Sequence, residues 1–136
     1  MKPFALTPEM QTIGGVFYPT GHAVALFPSE EDARAAAAEL QPLLGASEEL
    51  QIQLISPDAA LRYIGRSEKG SDDPLPSVGT EGATARAILD RARDGHWGLL
   101  VPAPASQDGE LLVRVARRHH VAFAQRYRRL MIEDLV

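Results

Sequence analysis

The chain of 136 residues has no cysteine. Disulfides, thiolate metal ligands and cysteine nucleophiles are therefore excluded. Aromatics are scarce, at 6% with one tryptophan, while 45% of residues are apolar and 24% charged. Those proportions belong to an ordinary folded domain rather than a disordered or fibrous chain. No apolar run approaches the roughly 20 residues needed to span a bilayer. The N-terminus also lacks a basic stretch followed by an apolar core, so no secretory signal is read there. A single cytoplasmic domain over residues 1–136 is expected, with no membrane association.

Catalytic and cofactor motifs are equally sparse. There is no G-x-S-x-G elbow, no HExxH and no His-x3-His. Gly79-Thr80-Glu81-Gly82 opens a helical stretch but matches neither a phosphate loop nor a dinucleotide fingerprint, and Glu81 would repel phosphate. No cofactor and no metal are expected.

What the chain does have is one device used twice. HAVALFP (His22–Pro28) and HWGLLVP (His96–Pro102) are short apolar runs, each followed by a helical stretch and then a strand-like run. Ala23–Phe27 and Trp97–Val101 are apolar on both faces, which predicts adjacent central strands. Ser29 caps the first helix, with Glu30, Glu31 and Asp32 in its first turn and Ala33, Ala36, Ala37 and Leu40 as its buried stripe. Pro42 and Gly45 should end it. Leu50–Ile55 has strand period, and Ala59–Ile64 reads as a helical turn. The polar stretch 65–78 reads as a mobile loop, and 1–15 as an irregular arm with a short strand near Gly15–Tyr18. Thr80–Asp94 predicts an extra helix with Ala85, Ile88, Leu89 and Ala92 on one face, closed by Gly95. Ser106 or Asp108 caps the last helix, whose stripe is Leu111, Leu112, Val115 and Ala116. Val121–Tyr127 reads as the last strand, and Met131–Val136 either extends it or forms a tail.

This alternation predicts an α/β (α+β) domain. The preferred arrangement is a ferredoxin-like plait of two βαβ units with an inserted helix; the alternative is an open parallel sheet. A plait covered by helices on one face leaves the other open, which predicts a homodimer.

Candidate site residues are few. His22 and His96 each precede a central strand, and in the plait they start at opposite ends of the sheet. His119 and His120 are adjacent and point about 100° apart on a helix. Tyr18 near His22 is the one acid–base pair the spacing suggests. Tyr18, His22, His96, His119 and Arg126 are the candidates for a ligand site, and no catalytic residue is identified.

Charge is unevenly distributed. Pro28–Asp58 holds seven acidic residues and one basic, while Arg114–Val136 holds six arginines and two acids. Such polarity can be balanced within the chain or orient two subunits. Arg117, Arg118, Arg126 and Arg128 are expected to be solvated or ion-paired, on a last strand carrying charge on both faces as an edge strand does. Phe27 and Trp97 lie in buried runs and the net charge is negative, so nucleic acid is not an expected partner.

The segment ALFPSEEDARAAAAEL resembles the opening of small bacterial general-stress or heat-induced-stress-type proteins: a strand, a polar turn, then an acid-started, alanine-rich helix. The second half is similar in plan, whereas the glycine-rich apolar middle of those proteins is replaced by a polar loop and a helix. The resemblance implies a small non-enzymatic cytoplasmic protein and supplies no catalytic residues. The functional expectation is therefore a binding or regulatory domain, which the resemblance links to stress physiology; the alternative is a small enzyme with a pocket near Tyr18 and a histidine.

Overall fold

The two apolar runs lie side by side. β2 (His22–Phe27) and β4 (Trp97–Pro102) pair antiparallel, from His22 opposite Pro102 to Phe27 opposite Trp97. After the first residue of each, both strands are buried throughout, as strands covered on two faces require. They form the middle of the sheet in a computed structural model that describes residues 1–12, 15–65 and 80–136. With β1 (Lys2–Pro3), β3 (Gln53–Ile55), β5 (Phe123–Tyr127) and β6 (Ile132–Asp134), the order is β1-β3-β4-β2-β5-β6. β1 runs parallel to β3 and every other neighbouring pair is antiparallel. The fold is thus mixed α/β. The open parallel sheet is not formed, because β2 and β4 run in opposite directions.

α1 (Glu30–Leu44) follows β2 and α3 (Ser106–Ala116) follows β4. Both pack on one face of the sheet, bringing Ala36, Ala37, Leu40, Leu112 and Val115 against Ala23, Ala25, Phe27 and Leu99. Side chains alternate along a strand, so Val24, Leu26 and Leu100 point the other way. There they meet α2 (Thr80–Arg93), through Ala85, Ile88, Leu89 and Ala92, together with Phe4, Met10, Phe17 and Ile64. The expected open face therefore does not exist. The inserted helix and the N-terminal arm cover it, and a homodimer argued from exposed sheet loses that ground.

Local differences have local causes. The Ser29 hydroxyl accepts from the Asp32 N–H at 3.1 Å, as expected of the cap. α1 continues past Pro42 to Leu44 and ends at Gly45, whose φ of 122° suits glycine. The Gln41 amide donates to the Leu50 carbonyl at 2.8 Å and accepts from the Ile52 N–H at 2.8 Å. Those bonds stand in for strand pairing, so β3 starts at Gln53 rather than Leu50, after a 3₁₀ turn at Glu48–Leu50. The expected turn near Ala59 is helical at Pro57–Ala59 and π-helical over Ala60–Ile64. Apart from Gly65, the expected loop 65–78 lies outside the described residues.

The arm is not peripheral. Phe4, Met10 and Phe17 are buried, and Gln11 bridges to Phe17. Phe17 stands edge-on to Phe4 at 6.1 Å and to Tyr127 at 6.0 Å between ring centroids. β1 bonds to β3 through the N–H groups of Lys2 and Phe4, at 3.0 and 2.9 Å, while the Ala5 N–H donates to the Gln53 side chain at 3.1 Å.

At the C-terminal end the residues after β5 turn back as β6. The Arg128 N–H donates to the Met131 carbonyl and the Leu135 N–H to the Ala124 carbonyl. β5 is therefore not an edge strand, and it does not carry charge on both faces. Tyr127 is fully buried on one side. Arg126, expected to be solvated or ion-paired, is ion-paired and only 5% exposed on the other. Its guanidinium pairs with Glu133 directly across the hairpin at 3.0 Å and reaches the Ala103 carbonyl at 3.4 Å. Gly109 of α3 makes this possible: a Cβ there would lie 3.2 Å from Leu135 and 3.5 Å from the Arg126 Cδ. The missing side chain lets the helix close over the arginine stem, and Glu133 compensates its charge.

Candidate functional site

The structure scatters the candidates read from the sequence. His22, at the start of β2, shares a 3.2 Å hydrogen bond with the Thr20 carbonyl through Nδ1. His96 precedes β4, so β2–β4 register places it at the opposite end of the sheet, as expected. Its Nδ1 lies 3.1 Å from the Arg91 carbonyl, which also accepts from the His96 backbone N–H at 3.0 Å. A carbonyl only accepts, so Nδ1 of each ring carries the proton in these bonds. His96 thereby helps close the C-terminus of α2. Tyr18 lies edge-on to Tyr127, with centroids 5.1 Å apart, and donates its hydroxyl to the Arg128 carbonyl. The suggested Tyr18–His22 pair is thus directed to two different carbonyls.

The end of α3 is tied to α1. His119 Nε2 lies 2.7 Å from one Glu39 oxygen, and Arg118 bonds to the other. His120, with a left-handed φ of 64°, places Nδ1 3.3 Å from Asp32. The hydrogen bond from Arg118, and then that from His119, holds the Glu39 carboxyl below the usual carboxylate range. Here the acidic first half and basic second half of the chain meet. Among the described residues, Tyr18, His22, His96, His119 and Arg126 go to five different partners, and no group of three His, Asp or Glu side chains could hold a metal ion.

Burial leaves three side-chain atoms of β5 without a hydrogen-bond partner among the described residues: Gln125 Oε1, Arg126 Nε and the Tyr127 hydroxyl. At Tyr127 desolvation, reinforced by the neighbouring Tyr18, pushes the ionisation far above the ordinary phenol range.

A concavity lies elsewhere, between the outer side of α3 and β6. It measures about 600 Å³, with Gly109, Val113 and Leu135 along its base and Glu110, Arg114 and Arg117 at its rim. Glu110, Arg114 and Arg117 recur at spacings of four and three, so they form one stripe on the helix. Arg114 and Arg117 are exposed and make no ion pair with the described residues. β6 walls the groove on its far side with Glu133 and Asp134, the former engaged by Arg126. A smaller hollow of about 350 Å³ lies beside Tyr18, with Glu9, Thr20 and Arg129. The rest of the arginine set is dispersed: Arg118 on α1, Arg126 beneath α3, and Arg128 at the hairpin against Met131.

An apolar base with a rim of both signs, beside the last strand of a sheet, is suited to holding a polypeptide surface. Sequence reasoning missed Gly109, Glu110 and Glu133 here. The helical spacing of Glu110, Arg114 and Arg117 was the available signal. Comparison with known proteins finds no matching family model, curated protein or solved structure.

Proposed function

We propose that this chain is a non-enzymatic binding or regulatory domain, built on a ferredoxin-like plait and acting in the cytoplasm as a homodimer. The order β3-β4-β2-β5, antiparallel throughout and crossed by α1 and α3 on one face, supports the plait. The observation that carries the functional reading is the use made of the histidines. Each directs a ring nitrogen to a nearby carbonyl or carboxylate at a strand or helix end, and no two converge on one polar group. General acid–base work needs such groups gathered around one reacting atom. The groove beside α3 supplies instead an extended surface with charges of both signs. The likeness of the β2–α1 segment to stress-type proteins is what ties the reading to stress physiology.

Sedimentation of the full chain tests it. A species of twice the 14.8 kDa chain mass is expected at micromolar concentration. A one-chain mass held from about 1 to about 200 μM would overturn the homodimer, since it would place the dissociation constant beyond a useful range.

A further inference from the structure

We propose that the groove between α3 and β6 is occupied by a second copy of this chain, with the two β6 edges paired antiparallel about a two-fold axis and the two α3 helices lying side by side. This deepens the homodimer reading and rests on it.

The first support is the edge itself. In an antiparallel ladder alternate residues bond to the neighbouring strand and those between point away. Leu135 bonds to Ala124, and Met131 to Arg128, so the odd-numbered residues of β6 face β5. The N–H and C=O groups of Ile132 and Asp134 therefore face outward. Nothing described lies beyond them, because β6 ends the sheet. Two such edges, brought together antiparallel, satisfy each other's main-chain groups.

The second support is distance. Gly109 approaches both Leu135 and Arg126, so α3 lies above the space between β6 and β5. Paired strands are about 4.8 Å apart. Joining two β6 edges would then set the two α3 axes about 10 Å apart, the separation at which helices pack.

The third support is charge. The outward stripe of α3 reads Glu110, Val113, Arg114, Arg117. A two-fold axis passing between Val113 and Arg114 lays this stripe antiparallel on its own copy. Glu110 of each chain then faces Arg117 of the other, and Val113 faces the aliphatic stem of Arg114. One face is complementary to itself, as an isologous contact requires. In the single chain Glu110, Arg114 and Arg117 have no ion-pair partner among the described residues, so the pairing displaces none of these internal contacts. An acidic extended peptide would suit Arg114 and Arg117 but not Glu110.

Sedimentation equilibrium of the full-length wild type, Arg117→Glu, Glu110→Arg and the double variant decides the matter, with circular dichroism confirming that each is folded. The wild type is expected to dimerise more weakly as salt rises. Each single variant places like charges opposite at two symmetry-related points and should weaken the dimer at least about tenfold. The double variant restores opposite signs and should return to within about threefold of wild type. A wild-type dimer that neither single variant weakens, or a double variant no tighter than the singles, would remove this interface and leave the homodimer standing. A wild-type monomer at every concentration would remove both and leave the groove to another occupant.

Discussion

Against α1 and α3 the sheet presents Ala23, Ala25, Phe27 and Leu99, and the helices answer with Ala36, Ala37, Leu40, Leu112 and Val115. Against α2 and the arm it presents Val24, Leu26, Leu100 and Tyr127, and the answer includes Phe4 and Phe17, with the rings of Phe4, Phe17 and Tyr127 packed edge to face. The first face is assembled within strand–helix–strand units, from residues near one another in the chain. Small side chains on α1 let it approach the strands closely. The second face draws residues from both ends of the chain and from the inserted helix, and aromatic rings fill much of it. The one face is organised locally; the other depends on the whole chain having come together.

The strongest test of that contrast is Phe17→Ala, which removes the ring joining Phe4 to Tyr127. A loss of about 3–5 kcal/mol is expected in urea unfolding. A loss below about 1 kcal/mol would show that the aromatic face contributes little. Gly98→Val probes the same face from the sheet. A Cβ on Gly98 would lie 2.9 Å from a Leu26 methyl and 3.3 Å from the Ile55 Cβ. Overpacking should cost about 1–3 kcal/mol by chemical denaturation, and a more stable variant would mean that the face has slack.

Tyr127→Phe should behave differently. It removes a hydroxyl that is buried without a partner among the described residues, so stability should stay level or rise by about 1 kcal/mol. A loss above about 2 kcal/mol would mean that the hydroxyl is satisfied in solution. The smallest effect belongs to the first face, at Glu39. Its lowered carboxyl stabilises the fold fully above the ordinary value of 4.5 and loses that contribution as pH falls through the folded value. Wild type should therefore lose more stability than Glu39→Gln on acidification below about pH 5. Parallel acid profiles for the two proteins would show that the Arg118–Glu39–His119 contact has no energetic weight.

The same contrast sorts what could be read in advance. β2, β4 and the buried stripes of α1 and α2 were legible, because apolar runs and helical spacing are local signals. The histidines' separation followed from the strand pattern. The closure of the second face was not legible: Phe4 and Phe17 lie among prolines and glycines, where no period marks them as core. β1 is two residues long, too short to carry an alternation. The burial of Arg126 was not legible, because it depends on Gly109, seventeen residues earlier, and on Glu133 arriving across a hairpin. The opposite charges of Arg126 and Glu133, equidistant from Arg129-Leu130, were the one clue to that turn. The α3 groove was hidden for the same reason, since half of it is β6.

The far edge of the sheet bears on how large an assembly could become. β1 spends the N–H groups of Lys2 and Phe4 on β3 and that of Ala5 on a glutamine side chain, and Pro3 between them has none to give. A strand arriving there finds no donor along this stretch. If β6 pairs as proposed, the molecule is in this sense monovalent for strand addition, with one adhesive margin and one that offers an incoming strand no N–H donor. Two copies that join through the adhesive margin exhaust each other's valence, and the other margins face outward. Growth stops at a closed pair, so pairing at β6 does not seed a fibre.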